Sequence, residues 1–200
     1  MSLSLLMNND FNLLIFSVLR LLHFEGIVLG IGSATLLDLI LLRFALSRVI
    51  REEHVKIVIF SSQIVTIGLI LLWVSGIGFF LHYWYFNPIK LENTKLLAKV
   101  IIVEVLTLNA FLVHYFVLPQ IKMQIGQRLF DDLSWFPCFL MVFIGTVSVI
   151  SWYVPLVLGV VKQFNFIPAE LILADYSILI FLVNVIVQTA LIIKFYGYGK

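Results

Sequence analysis

Five apolar stretches dominate the chain, at about residues 11–42, 57–83, 94–118, 134–161 and 169–195. Each exceeds the roughly 20 apolar residues that a helix needs to cross a bilayer. Hydrocarbon offers a backbone amide no outside partner, so every stretch must close its hydrogen bonds as a helix. Chain breakers fall between the stretches at Asn87, Pro88, Pro119, Gly126 and Pro168. The expected architecture is an all-α integral membrane bundle of five transmembrane helices in one domain over 1–200. Composition agrees: 62% of residues are hydrophobic and 12% charged, about half the charge of a soluble domain. A net charge of +2 without a basic tail excludes nucleic acid as a partner. The lipid bilayer is the expected surrounding.

Cys138 is the single cysteine. It allows no intrachain disulfide and no Cys-x-x-Cys site, so any cofactor falls to His, Met, Lys or carboxylate ligands. The first residues, "MSLSLLMNNDF", lack a basic n-region and a small-residue cleavage site, so no removable leader is expected. Gly-x-Ser-x-Gly, phosphate-loop and His-Glu-x-x-His patterns are missing, which excludes the common hydrolase and kinase chemistries.

Short basic loops set orientation. Arg43, Arg48, Arg51 and Lys56 join spans one and two, Lys122 and Arg128 join spans three and four, and Lys194 and Lys200 end the chain. Lys90, Lys95 and Lys162 lie on the other side. Eight against three puts the C-terminus in the cytoplasm and the N-terminus outside, in an inner (cytoplasmic) membrane. Tyr83, Trp84, Tyr85 and Trp135 stand at span ends, where aromatic belts form. The basic 43–56 loop is suited to anionic lipid headgroups or a partner.

The first span, "LRLLHFEGIVLGIGSATLLDLILLR", carries Arg20, His23, Glu25 and Asp38. At about 100° per residue, His23, Gly26, Gly30 and Ala34 share one stripe. Ser33 and Asp38 flank it, Arg20 lies at its edge, and Glu25 points almost oppositely. Two readings stand: a packing seam of small residues, or room for a flat ligand beneath His23. On the third span Lys99, Thr107 and His114 share a broad face, with Glu104 at its margin. Ionisable groups inside a span cost a few kcal/mol each and favour protein or water, so Lys99 either snorkels outward or pairs with Asp175 or Glu104. By helical rise, His23 lies roughly 15–20 Å below the outer surface, and Arg20, Glu104, Ser151, Trp152 and Asp175 lie at roughly 10–18 Å. These residues are expected to form a polar pocket in the outer half of the bundle. His114 lies nearer the cytoplasm, and Pro155 is expected to kink span four. A bis-histidine haem fails on depth, because His23 and His114 differ by roughly 10 Å.

The stretch around His23, with Lys99, Thr107, Leu108, Asn109, His114, Leu118 and Pro119 on the third span, resembles the copper-resistance D-type membrane proteins. More distantly it resembles the small haem-binding protoporphyrinogen oxidase of bacteria. The resemblance covers spans one to four. It implies that His23 and Lys99 serve a haem site. The chain departs from these relatives in its acidic residues and fifth span, and it lacks the Met-rich or multi-His pattern of a copper site.

Three functions follow as expectations. The first is a redox protein binding haem b for electron transfer. His23 would be its axial metal ligand, Arg20 or Lys99 would neutralise a propionate, and Trp152 would pack on the ring above Gly26 and Gly30. The second is a transporter or permease component for a proton, metal or small solute, with Glu25 and His114 among its relay groups. The third is an accessory or assembly subunit that works as a homo-oligomer or beside a partner membrane subunit.

Overall fold

The computed structural model describes residues 3–46, 49–130 and 133–197. Arg48 and Lys200, two of the basic residues behind the expected orientation, lie outside the described residues. The chain forms five helices long and apolar enough to cross a membrane, and no strand occurs among the described residues. We name them α1 (Leu3–Leu46), α2 (Glu52–Phe86), α3 (Thr94–Met123), α4 (Trp135–Val160) and α5 (Ala169–Gly197).

Local chemistry explains the boundaries. Glu52 and Glu53 open α2, where negative charge meets the positive end of the helix dipole. Pro88 starts a short 3-10 turn, Pro88–Glu92, that ends α2. Asn93 then caps α3, its side chain accepting from the Lys95 amide at 3.0 Å. Proline behaves differently at two other sites. Pro155 sits inside α4, which runs on to Val160. Pro119, expected to end the third span, lies inside α3. The helix widens to a π-helix over Val113–Val117 and resumes as Leu118–Met123. The wider turn accommodates a ring that would clash with a carbonyl of the preceding turn in a regular α-helix.

Helices α1 and α2 form a close antiparallel hairpin, and α3, α4 and α5 pack as a second group. Ala98, Ile102, Ile150, Leu158, Ile172 and Tyr176 form the core of that group. Ala34, Leu69, Leu106 and Trp152 join the two groups at mid-height. At the end where α1 meets α2, Phe44, Ile50, Val58, Ile121, Leu129 and Ile144 form a third cluster. Backbone bonds close this Ile50 end: Ile50 donates to Gln127 at 2.8 Å and Gly126 donates to Ile50 at 2.8 Å. Gly126 makes the turn at φ +88°, a conformation open to glycine at little cost. The opposite face of the molecule is the Asn87 end. Large apolar side chains cover the outside, as a bilayer solvent requires; Val28 and Phe181 are each 66% exposed.

Candidate functional site

The small-residue stripe of α1 meets a matching glycine on α2. A Cβ added at Gly68 would lie 2.6 Å from the Gly30 amide nitrogen and 2.8 Å from its Cα. One added at Gly26 would lie 2.9 Å from the Gly68 carbonyl oxygen. The backbones therefore touch, as small residues permit. Trp152 covers Gly30 from α4, and its ring leaves no space for a Cβ there. The stripe carried two readings, a packing seam or room for a flat ligand held by Gly26, Gly30 and Trp152; the Gly68 backbone and the Trp152 indole lie against it as in a packing seam.

His23 lies just above the seam, half-buried. Its Nδ1 stands 2.9 Å from Ser75 Oγ, and the Ser75 hydroxyl donates to the Leu71 carbonyl at 2.7 Å. Because that hydroxyl proton is committed to Leu71, Ser75 Oγ accepts, and Nδ1 carries the proton. The Nε2 lone pair is left free to face a ligand. The edge of Phe79 packs against the ring at 5.5 Å. Lys99, on α3, has its Nζ 3.8 Å from where a Cβ on Gly159 would stand. Arg20 is exposed, its guanidinium 4.3 Å above the Phe16 ring. Lys90 stands 5.0 Å from the Tyr83 ring and 5.8 Å from Phe16. The Asn87 half of the hairpin thus gathers cations on aromatic faces.

The acids do not join them. Glu104 and Asp175, expected in one interior pocket with Lys99, stand exposed on the outside of the bundle, as does Glu25. On α3 the interior face is carried by Ala98, Ile102, Leu106 and Asn109, and Glu104 lies on the reverse side of that helix. Ser151 is fully buried, but its hydroxyl is 2.7 Å from the Tyr176 hydroxyl, so it joins α4 to α5. His114 is exposed and its Nδ1 lies 2.9 Å from the Ala110 carbonyl of its own helix. Of the expected outer polar pocket, the contact that forms is His23 with Ser75. Asp38 is half-buried towards the Ile50 end.

Other polar contacts tie helices together. Trp73 Nε1 donates to Thr107 Oγ1 at 2.9 Å, Asn109 donates to the Ile144 carbonyl at 3.2 Å, and Gln188 donates to the Phe139 carbonyl at 3.0 Å. Gly68, Trp73 and Tyr176 were missed at the sequence level. Gly68 carries a signal in hindsight, as a small residue facing a small-residue stripe; Trp73 and Tyr176 carry none without helix pairing.

A central cavity of about 30 Å³, lined in part by Ala34, Leu69, Leu106, Asn109 and His114, has room for about one water. It does not reach His23. A second, of about 90 Å³, lies at the Ile50 end between Ile40, Arg43, Phe44, His54 and Ile57. Among the described residues no three of His, Cys, Asp and Glu converge as a metal site would need. No protein-family model, curated protein or solved structure matches the chain.

Proposed function

We propose that this chain is a non-catalytic membrane subunit that assembles laterally, in the plane of an inner membrane, with a second membrane chain. The observation that carries the reading is the exposure of Glu25 and Glu104. Glu104 lies about 7 Å from the midpoint of α3 by helical rise. The His23–Ser75 contact sets α1 against α2, which puts Glu25 at about the middle of α2 as well. A charged group at that depth costs about 2.5–3.5 kcal/mol on insertion scales. A neighbouring chain that presents a cation or hydrogen-bond donor removes the cost. A second copy supplies one: Arg20 is exposed and free of ion pairs among the described residues, and it lies within about one helical turn of the depth of Glu104.

Native mass spectrometry of the protein released from lipid nanodiscs tests this. Wild type is expected as a dimer or higher complex. Glu104→Gln and Arg20→Gln are each expected to shift it towards monomer by about tenfold. A wild-type monomer, or complexes unchanged in both variants, refutes the reading.

One observation favours a second reading, a haem b redox protein: the free Nε2 of His23, held by Ser75 in the way that outer partners orient ligating histidines. A porphyrin would have to lie outside the filled glycine seam. Absorption spectra of the purified protein, oxidised and then dithionite-reduced, decide it. A Soret band that shifts on reduction and vanishes in His23→Ala supports haem, and a colourless protein after haem supplementation removes it.

A further inference from the structure

The cavity of about 90 Å³ at the Ile50 end has walls of two kinds. Ile40, Phe44 and Ile57 give it apolar lining, and Arg43 and His54 give it polar lining. Phe44 is buried, and its ring stands 5.1 Å from that of His54, holding the imidazole in place. The Arg51 backbone N–H donates to His54 Nδ1 at 3.3 Å. Nδ1 is therefore an acceptor, and the ring proton sits on Nε2 as a donor. Arg43 forms no hydrogen bond or ion pair with any described residue, so its forked guanidinium is also free to donate. Glu52 and Glu53 open α2 but do not line the cavity, and Asp38 lies five residues deeper on α1 and does not line it either. Two donor groups, one of them a full cation, thus line the cleft, and no acid is among its described lining residues.

We infer that this cleft binds a phosphate ester, with Arg43 and His54 Nε2 donating to its oxygens. The guanidinium fork matches phosphate geometry. The source is a phospholipid rather than a free anion, because the cleft sits at the end of two membrane-spanning helices and three of its five lining residues, Ile40, Phe44 and Ile57, are apolar. An acyl chain would continue from the phosphate along Ile40 and Ile57, and Ile57 is 47% exposed. A soluble phosphate would make no use of that wall. Arg51 and Lys56, both exposed nearby, add to the attraction for an anionic headgroup.

The test uses the full chain in mild detergent, with bound lipid counted by native mass spectrometry. The probes are dioleoyl-phosphatidylglycerol, dioleoylglycerol with the same chains but no phosphate, and inorganic phosphate as competitor. One phosphatidylglycerol is expected to be retained, dioleoylglycerol is not, and millimolar phosphate does not displace the lipid. Arg43→Gln and His54→Gln are each expected to weaken retention about tenfold. Arg43→Lys, which keeps the charge and loses the fork, should weaken it less. Lys122→Gln, which removes a charge at the same end without touching the cleft, should leave it unchanged. Arg43 is exposed, so its substitution leaves the fold intact, and an unchanged helical circular dichroism spectrum checks this. Equal retention of the two lipids, or full retention in the Arg43→Gln/His54→Gln double variant, overturns the proposal. Displacement by inorganic phosphate assigns the cleft to the free anion and overturns the lipid source.

Discussion

The glycine seam between α1 and α2 makes a demanding prediction at Gly68. Alanine there places a methyl 2.6 Å from the Gly30 amide nitrogen, 2.8 Å from its Cα and 2.9 Å from the Gly26 carbonyl oxygen. All three neighbours are backbone atoms, so no side-chain rotation relieves the contact. Carbon contacts are comfortable at about 3.5–4.0 Å, so the helices must part by roughly 1 Å along the seam. Overpacking of this kind costs about 1–3 kcal/mol, and the rigidity of both sides places Gly68→Ala at the upper end. Replacing a helical glycine by alanine returns about 0.5–1 kcal/mol in chain entropy, which leaves a net loss of about 2 kcal/mol. Gly32 on the same helix as Gly30 has nothing within 4 Å of an added Cβ, so Gly32→Ala should gain that entropy alone. Unfolding of the protein in mixed micelles, titrated with SDS and followed by circular dichroism, reads the difference. The two variants should differ by about 2–3 kcal/mol. Equal stabilities would refute the close backbone contact and reopen the space beneath His23.

Three further outcomes follow from the hydrogen bonds. Ser75→Ala should cost about 1 kcal/mol and should release the Nδ1-protonated tautomer of His23, read as a shift in its ring nitrogen-15 resonances; an unchanged spectrum would show that Ser75 does not hold it. Thr107→Val should leave Trp73 Nε1 without its acceptor, at about 1 kcal/mol, with a change in tryptophan emission that Ser177→Ala, on an exposed surface, does not give. Tyr176→Phe should strand the buried Ser151 hydroxyl and destabilise the packing of α5 on α4 by about 1–2 kcal/mol, while Tyr176→Phe/Ser151→Ala together should recover much of that loss in the same SDS titration.

The five spans were legible because a run of apolar residues long enough for a bilayer has few other uses, and the ends of α2, α4 and α5 fall within a few residues of the sequence expectation. The seam was half legible. Gly26 and Gly30 mark a close approach, but which helix approaches is decided by Gly68, and register between helices is not written in either helix alone. Glu104 and Asp175 were misplaced for a reason particular to membranes. In water, polar residues mark the outside of a helix. In lipid both sides of α3 are apolar, so Leu108 outside and Leu106 inside look alike, and one glutamate on a helical wheel does not tell which way is in. Pro119 misled because a proline usually ends a helix, and the π turn that accommodates it has no strong sequence signature. The contacts of His23 with Ser75, and of Arg43 and His54 with one cleft, needed the hairpin to be folded before either could be seen.

The π turn at Val113–Val117 also bears on how this chain should be compared with others. A π turn closes its hydrogen bonds five residues back instead of four, so it holds one residue more than the α turn it replaces. Before it, Ala98, Ile102 and Leu106 point into the bundle; after it, Leu118 and Ile121 point into the cluster at the Ile50 end. A sequence one residue shorter in this segment would run as a plain α-helix, and its Leu118–Met123 counterpart would be turned by about 100° unless its own pattern had shifted to match. A gap in an alignment here is therefore a change of phase, with every apolar position beyond it reassigned to a different face. Two chains that agree residue by residue up to Leu112 can share the same interior only if they agree on that one residue.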